Sequence, residues 1–198
     1  MTSSGRQTAF DEDRDSISDG LISLAEQRDP GKTFCPSEFA RRHWSINWRS
    51  HMSNVRQVAD ELVDRGVLIA TQRGELVDVA QAKGPIRLAL HRDARDPATP
   101  CLGLLNLGPA CVADLQRVSI ETLAELRRQG ALEAFIAIMF DKWHRRDRKN
   151  LFHSMYLYAL WGALHDVNCM RLPEAIRKGL IHKANEVKRD CLGSASTR

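Results

Sequence analysis

No uninterrupted apolar run among the 198 residues approaches the length of a membrane span, so no membrane partner is expected. The opening "MTSSGRQTAFDEDRDS" lacks the apolar core that a signal peptide needs. The five cysteines, Cys35, Cys101, Cys111, Cys169 and Cys191, are odd in number, scattered and never arranged as CxxC. That usage fits reduced thiols in a cytoplasm rather than a disulfide scaffold. His165 and Cys169 stand four apart, but no second pair completes a tetrahedral set, so neither metal nor cofactor is expected. The P-loop, GxSxG, HExxH and dinucleotide fingerprints are all missing. Histidines such as His144, His153 and His165 occur singly, and a non-enzymatic protein is expected; sites assembled only in space escape motif reading.

What is present is ordinary for a globular chain: 43% hydrophobic and 27% charged residues, over a length that suits one or two domains. Charge is unevenly placed. Residues 97–198 carry 15 Lys+Arg against 10 Asp+Glu, whereas residues 1–96 carry 14 against 15. A basic second half permits an anionic partner without demonstrating one. The composition divides the chain into a flexible acidic tail (1–14), a first domain (15–90), a linker (91–100, "HRDARDPATP"), a second domain (101–190) and a flexible end (191–198).

The first domain changes period along its length. Ile17, Leu21, Leu24 and Ala25 recur at helical spacing, and "DPGK" supplies a turn. "CPSEFARRH" opens a second helix with Pro36, Ser37 and Glu38. "NWRSHMSNVRQVADELVDRG" is the longest helical pattern, with Trp48, Met52, Val55, Ala59 and Leu62 on one face and Gly66 at its end. Trp44 and Trp48 suit packing better than base stacking. Strand-like runs follow: "VLIATQ", a turn at "RGE", "LVDV" and "PIRLAL". Helices followed by a hairpin are the order of a winged helix-turn-helix, an α+β domain. "FCPSEFAR", the Trp48–Arg49 pair, "VLIATQRGELVD" and "GPIRLAL" resemble a family of small bacterial winged-helix proteins of unknown function, over Ser16 to Leu90. The resemblance implies the fold and almost nothing about activity.

Opposite the apolar face, the third helix offers Arg49, Asn54, Arg56 and Gln57, side chains able to pair with base edges, and the hairpin tip offers Gln72 and Arg73. Asp60 and Asp64 on or beside the same helix would repel phosphate. A protein-interaction role for this surface stays open, because fold alone does not fix function.

After Pro100 every periodic segment is helical: Ala110–Val118, Glu121–Gln129, Leu132–Phe140, "LFHSMYLYALWGALHDV" and "LPEAIRKGLIHKANEVKRD". Five helices suffice for an all-α core. "LLNLGPACVADL", "VSIETLAELRRQGALEAF", "YLYALWGALHDV" and "LPEAIRKGLI" resemble, in order, the C-terminal domain of the TfoX/Sxy family, bacterial regulators of DNA-uptake competence. The resemblance implies a helix-hairpin-helix-like fold related to nucleic-acid-binding modules. The N-terminal domain usual in that family is replaced here, so the competence role does not transfer directly.

Such hairpins hold phosphate on backbone N–H groups. "NLGPAC" supplies Gly108 and the N–H of Ala110, but Asn106 stands where a first glycine is common and Pro109 removes a donor, so a purely structural turn remains the alternative. "DKWHRRDRKN" concentrates Lys142, Arg145, Arg146, Arg148 and Lys149 within eight positions, a pattern suited to backbone contact or to a solvated loop. The expectation is therefore a cytoplasmic DNA-binding protein, transcription-associated or competence-like. The rival is an adaptor that binds a protein partner.

Overall fold

A computed structural model describes the backbone of residues 4–28 and 32–195 and the side chains of residues 13–28 and 32–189. The turn expected at "DPGK" lies largely outside the described residues. The chain forms two compact units. One takes residues 1–63 and 67–91; the other takes 64–66 and 92–198.

The first unit begins with α1 (Ser4–Glu26), which is already helical where a flexible tail was expected. Of that tail, residues 1–3 and the side chains of residues 4–12 lie outside the description. Ile17, Leu21, Leu24 and Ala25 of α1 are buried, as their spacing requires. Gly20 lets the helix lie against Phe39, whose ring occupies the space a Cβ would need. α2 (Pro36–His43) starts with proline at its first turn and ends in Arg41, Arg42 and His43, which complement the helix C-terminus. A 3-10 turn (Trp48–His51) leads into α3 (Met52–Asp64). Val55, Val58, Ala59 and Leu62 of α3 close the core against α1 and the sheet.

The sheet is antiparallel, in the order β2 (Glu75–Leu76), β1 (Leu68–Gln72), β3 (Arg87–Leu90). Leu68 pairs with Leu90 and Thr71 with Arg87, so Leu68, Ala70 and Leu88 point inward. Phe34 adds a single bridge to Leu88 through two backbone hydrogen bonds of 2.8 and 2.9 Å. Arg73 and Gly74 both have positive φ, 56° and 90°. That is the mirror-image turn whose twist matches a two-residue hairpin. Helix, bridge, two helices, a β1–β2 hairpin and a last strand β3 follow one another, which is the helices-then-hairpin order expected above.

The second unit is helical: α4 (Pro109–Arg117), α5 (Leu123–Gln129), α6 (Ala131–His144), α7 (Ser154–His165) and α8 (Glu174–Ala195). Phe135, Ile138 and Met139 of α6 and Leu157, Leu160 and Leu164 of α7 are buried in its core. Thr122 and Glu125 form a reciprocal capping box on α5. Hydrogen bonds from the backbone at Glu121 and Thr122 pull the Glu125 pKa below the ordinary carboxylate value. α8 runs on through most of the segment expected to be a flexible end; no proline interrupts it, and residues 196–198 lie outside the description.

The segment expected to be a linker is held by the second unit from residue 92 onward. Arg95 donates to the carbonyls of Ala163 and Leu164 at 2.7 and 2.9 Å. Asp93 accepts from both Arg95 and Arg127. Burial pushes the Asp93 carboxyl up, but its hydrogen bonds with Arg95 and the charges of Arg95 and Arg127 outweigh that and hold it well below the ordinary range. Amides of Leu123 and Ala124 donate to the carbonyls of Thr99 and Pro97. Composition suggested a tether because the segment lacks large apolar residues; polar clamps fix it instead.

Candidate nucleic-acid interface

In the first unit, α3 presents Ser53 and Gln57 outward and leaves Asn54 half-buried. Asn54 has no side-chain hydrogen bond among the described residues, whereas Gln57 lies 3.4 Å from Glu61. Glu61 is in turn paired with Arg14 at 2.5 Å, which reduces the negative charge on this surface. Asp64, expected to repel phosphate, belongs to the second unit and is buried there. Arg73 is exposed at the hairpin tip, but Gln72 is committed to the carbonyls of Lys83 and Pro85.

Arg56 does not serve as a base reader in this arrangement. Its guanidinium donates to the carbonyls of Val79, Ala82 and Gly84, at 2.7, 2.6 and 3.3 Å. A fork of N–H donors satisfies three loop carbonyls and ties α3 to the connection between β2 and β3. Arg49 is exposed, with its guanidinium carbon 4.4 Å from the centre of the Trp48 ring. Trp44 and Trp48 are both half-buried against the core.

In the second unit, Gly108 caps α4 in an extended conformation and no side chain bonds to the cap. Val112 donates back to Gly108, while Ala110 and Cys111 present first-turn N–H groups. A Cβ on Gly108 would meet nothing within 4 Å, so the approach is open. Asn106, standing where a first glycine is common in such hairpins, adopts the left-handed region, φ 71°, which asparagine tolerates. Its Nδ2 donates to the carbonyl of Val167 at 2.9 Å, and its Oδ1 accepts from the Cys169 amide at 3.0 Å.

A cavity of about 450 Å³ adjoins the α4 entry, lined by Gly108, Ala110, Cys111, Asn150, His153 and Tyr156 among others. The glycine-proline turn and the end of the basic run therefore border one space. Burial, reinforced by the Asp114 charge, pushes the Cys111 thiol up to about 12, so it stays protonated. No group of three or more metal-binding side chains is gathered among the described residues.

The basic run divides into two kinds of residue. Lys142 belongs to a longer α6 than expected and is buried, 3% exposed. Its ammonium lies 2.6 Å from Asp147 and 3.3 Å from Asp114. Burial works against its charge, but hydrogen bonds to Asp147 and Asp114 raise its pKa above the ordinary lysine value. Tyr156 donates to the same Asp114 at 2.7 Å. Arg145 is held by Asp141 at 2.7 Å. Lys142 thus cannot reach a phosphate, and Arg145 already shares its charge with Asp141 and, at 3.6 Å, with Asp114. Arg146, Arg148 and Lys149 remain exposed. Arg148 rests 4.4 Å from the centre of the Trp143 ring, and the side chains of Arg146 and Lys149 engage no other group among the described residues.

Sequence reasoning missed two residues here. Arg41 joins Arg49 on Trp48, at 4.6 Å from the ring centre, and Asp114 anchors Lys142. The signal for Lys142 was its register: it continues the stripe of Phe135, Ile138 and Met139.

The two units define a two-domain chain, a helix-and-hairpin unit followed by an all-helical unit with an open basic loop. Comparison with known families divides the chain at the same place. Residues 14–91 match a family described as "Protein of unknown function (DUF3253)", and residues 99–184 match the TfoX C-terminal domain. The second match relates the helical unit, at the level of the family, to competence and DNA-related regulators. No curated protein matches the chain.

Proposed function

We propose that this chain is a non-enzymatic, cytoplasmic DNA-binding regulator of the transcription-associated or competence-like kind. In this reading the first unit reads bases with Asn54 and Gln57, Arg73 touches the backbone, and the second unit adds sequence-independent phosphate contacts. The observation that carries it is the TfoX C-terminal domain match over residues 99–184, on a unit whose Arg146, Arg148 and Lys149 are exposed and whose α4 entry is open. The test is a salt titration of the full chain against a labelled duplex. Replacing Arg146, Arg148 and Lys149 with Ala is expected to flatten the log K against log salt slope by about 0.9 for each phosphate no longer neutralised. Absence of duplex binding at low salt would sink the proposal.

The second reading is a protein-binding adaptor. It is favoured by Leu102 and Met170, apolar side chains 61% and 73% exposed on the helical unit. Capture of a partner by a chain that ignores DNA would support it.

A further inference from the structure

We propose that Trp48, with the guanidiniums of Arg41 and Arg49 lying over its ring, is a preorganised clamp for DNA backbone phosphates. The inference rests on the DNA-binding reading and adds a site within the first unit.

The sequence from Phe39 to Ala59 contains no Asp or Glu, yet carries Arg41, Arg42, Arg49 and Arg56. Two of these cations are already committed. Arg42 pairs with Glu38 at 2.7 Å, and Arg56 is enclosed by the loop carbonyls. Arg41 and Arg49 are exposed and have no acidic partner among the described residues; what holds each is the Trp48 ring, 4.6 and 4.4 Å from the guanidinium carbons.

A guanidinium held over a ring face, with no acidic partner, keeps its N–H donors for a phosphate, which it can grip in a two-pronged bond. The ring itself is anchored: Trp48 packs against the core of the first unit. An arginine held over a ring surrenders less side-chain freedom on binding than one swinging in water. The clamp therefore offers two fixed forks in a stretch free of repelling carboxylates.

Its position favours duplex DNA over an acidic peptide. The 3-10 turn that holds Trp48 and Arg49 runs directly into α3, whose first turns carry Ser53, Asn54 and Gln57. Phosphate grip at the helix entry and base-pairing chemistry on the following turns is the division of labour that a major-groove reader uses. The positive end of the α3 dipole adds to the attraction.

The experiment uses the full chain and fluorescence anisotropy with a labelled 20-base-pair duplex over a salt series, repeated with a poly-glutamate peptide. The double variant Arg41→Ala with Arg49→Ala should flatten the salt slope by about 1.8, from about 0.9 per phosphate. Trp48→Leu keeps both charges and removes the ring, and its affinity should fall several-fold; Trp48→Phe, which keeps a smaller ring, should fall less and serves if the leucine variant does not fold. Unchanged affinity and slope in the double variant, while the wild type binds duplex, overturns the clamp and leaves the broader function standing. Absence of duplex binding by the wild type overturns both. Tighter binding of poly-glutamate than of duplex, abolished by the double variant, overturns DNA as the partner of this site.

Discussion

Replacing Lys142 with Met separates a structural lysine from a DNA-contacting one. The ammonium sits between Asp114 and Asp147 at 3.3 and 2.6 Å, and Asp114 is itself buried. Methionine fills much the same volume but leaves the Asp114 charge without its closest cation. Breaking a buried ion pair from one side costs about 3–5 kcal/mol. Two groups soften that here. Tyr156 still donates to Asp114, and Arg145 lies 3.6 Å from its other oxygen. The expected loss is therefore near the lower end, about 3 kcal/mol. Hydrogen exchange reads it directly: the slowest amides of α6 and α7, which exchange by unfolding of the unit, should speed up by roughly a hundredfold. Replacing Asp114 with Leu in the same chain removes the stranded charge and should restore most of the protection. Exchange rates in Lys142→Met within twofold of wild type would refute the assignment of Lys142 to the core.

Three further outcomes are expected. Thr122→Ala removes the α5 cap and should cost about 1 kcal/mol in a denaturant titration, with no change in slope. Cys111, its pKa pushed up to about 12 by burial, should react with iodoacetamide at pH 8.5 roughly a thousandfold more slowly than an unperturbed thiol, and unfolding in urea should remove the difference. Asp93→Asn should lower the melting temperature most at neutral pH. The Asp93 pKa is depressed on folding, so its contribution is complete above the unfolded value of 3.8 and is lost as pH falls through the folded value. The gap between wild type and variant should then narrow steadily below pH 3.8; a constant gap down to pH 2 contradicts the Arg95–Asp93–Arg127 clamp.

Elements with a strong apolar period were legible in the sequence. The stripe of Met52, Val55, Ala59 and Leu62 falls on α3, and the run "LPEAIRKGLIHKANEVKRD" lies mostly on α8, where Ile176, Leu180, Ala184 and Val187 are buried, because burial follows the 3.6-residue repeat. The capping box "TLAE" was equally readable from its spacing, although only the helix behind it was anticipated. Helix ends were less so: α1 and α8 run into polar stretches that composition alone assigns to flexible ends. The candidate site was legible as a set of charges and not as a set of free charges. Arg56 looks like any exposed arginine until a loop more than twenty residues away closes over it. The same holds for Arg41, whose partner on the ring lies across the turn from α2. Which cation remains available is decided by long-range contacts that no local pattern carries.

The anchoring of residues 92–100 also orders events during synthesis. Arg95 binds carbonyls 68 and 69 positions further along the chain. At a synthesis rate of roughly 5–20 residues per second, those carbonyls emerge about 3–14 s after Arg95 does. The residues of the first unit are all made by His91, so that unit is free to fold during the wait. In the interval Arg95 has its neighbour Asp93 but not the carbonyls that fasten the segment to the second unit, and the stretch is a passing target for proteases until α7 arrives to receive it.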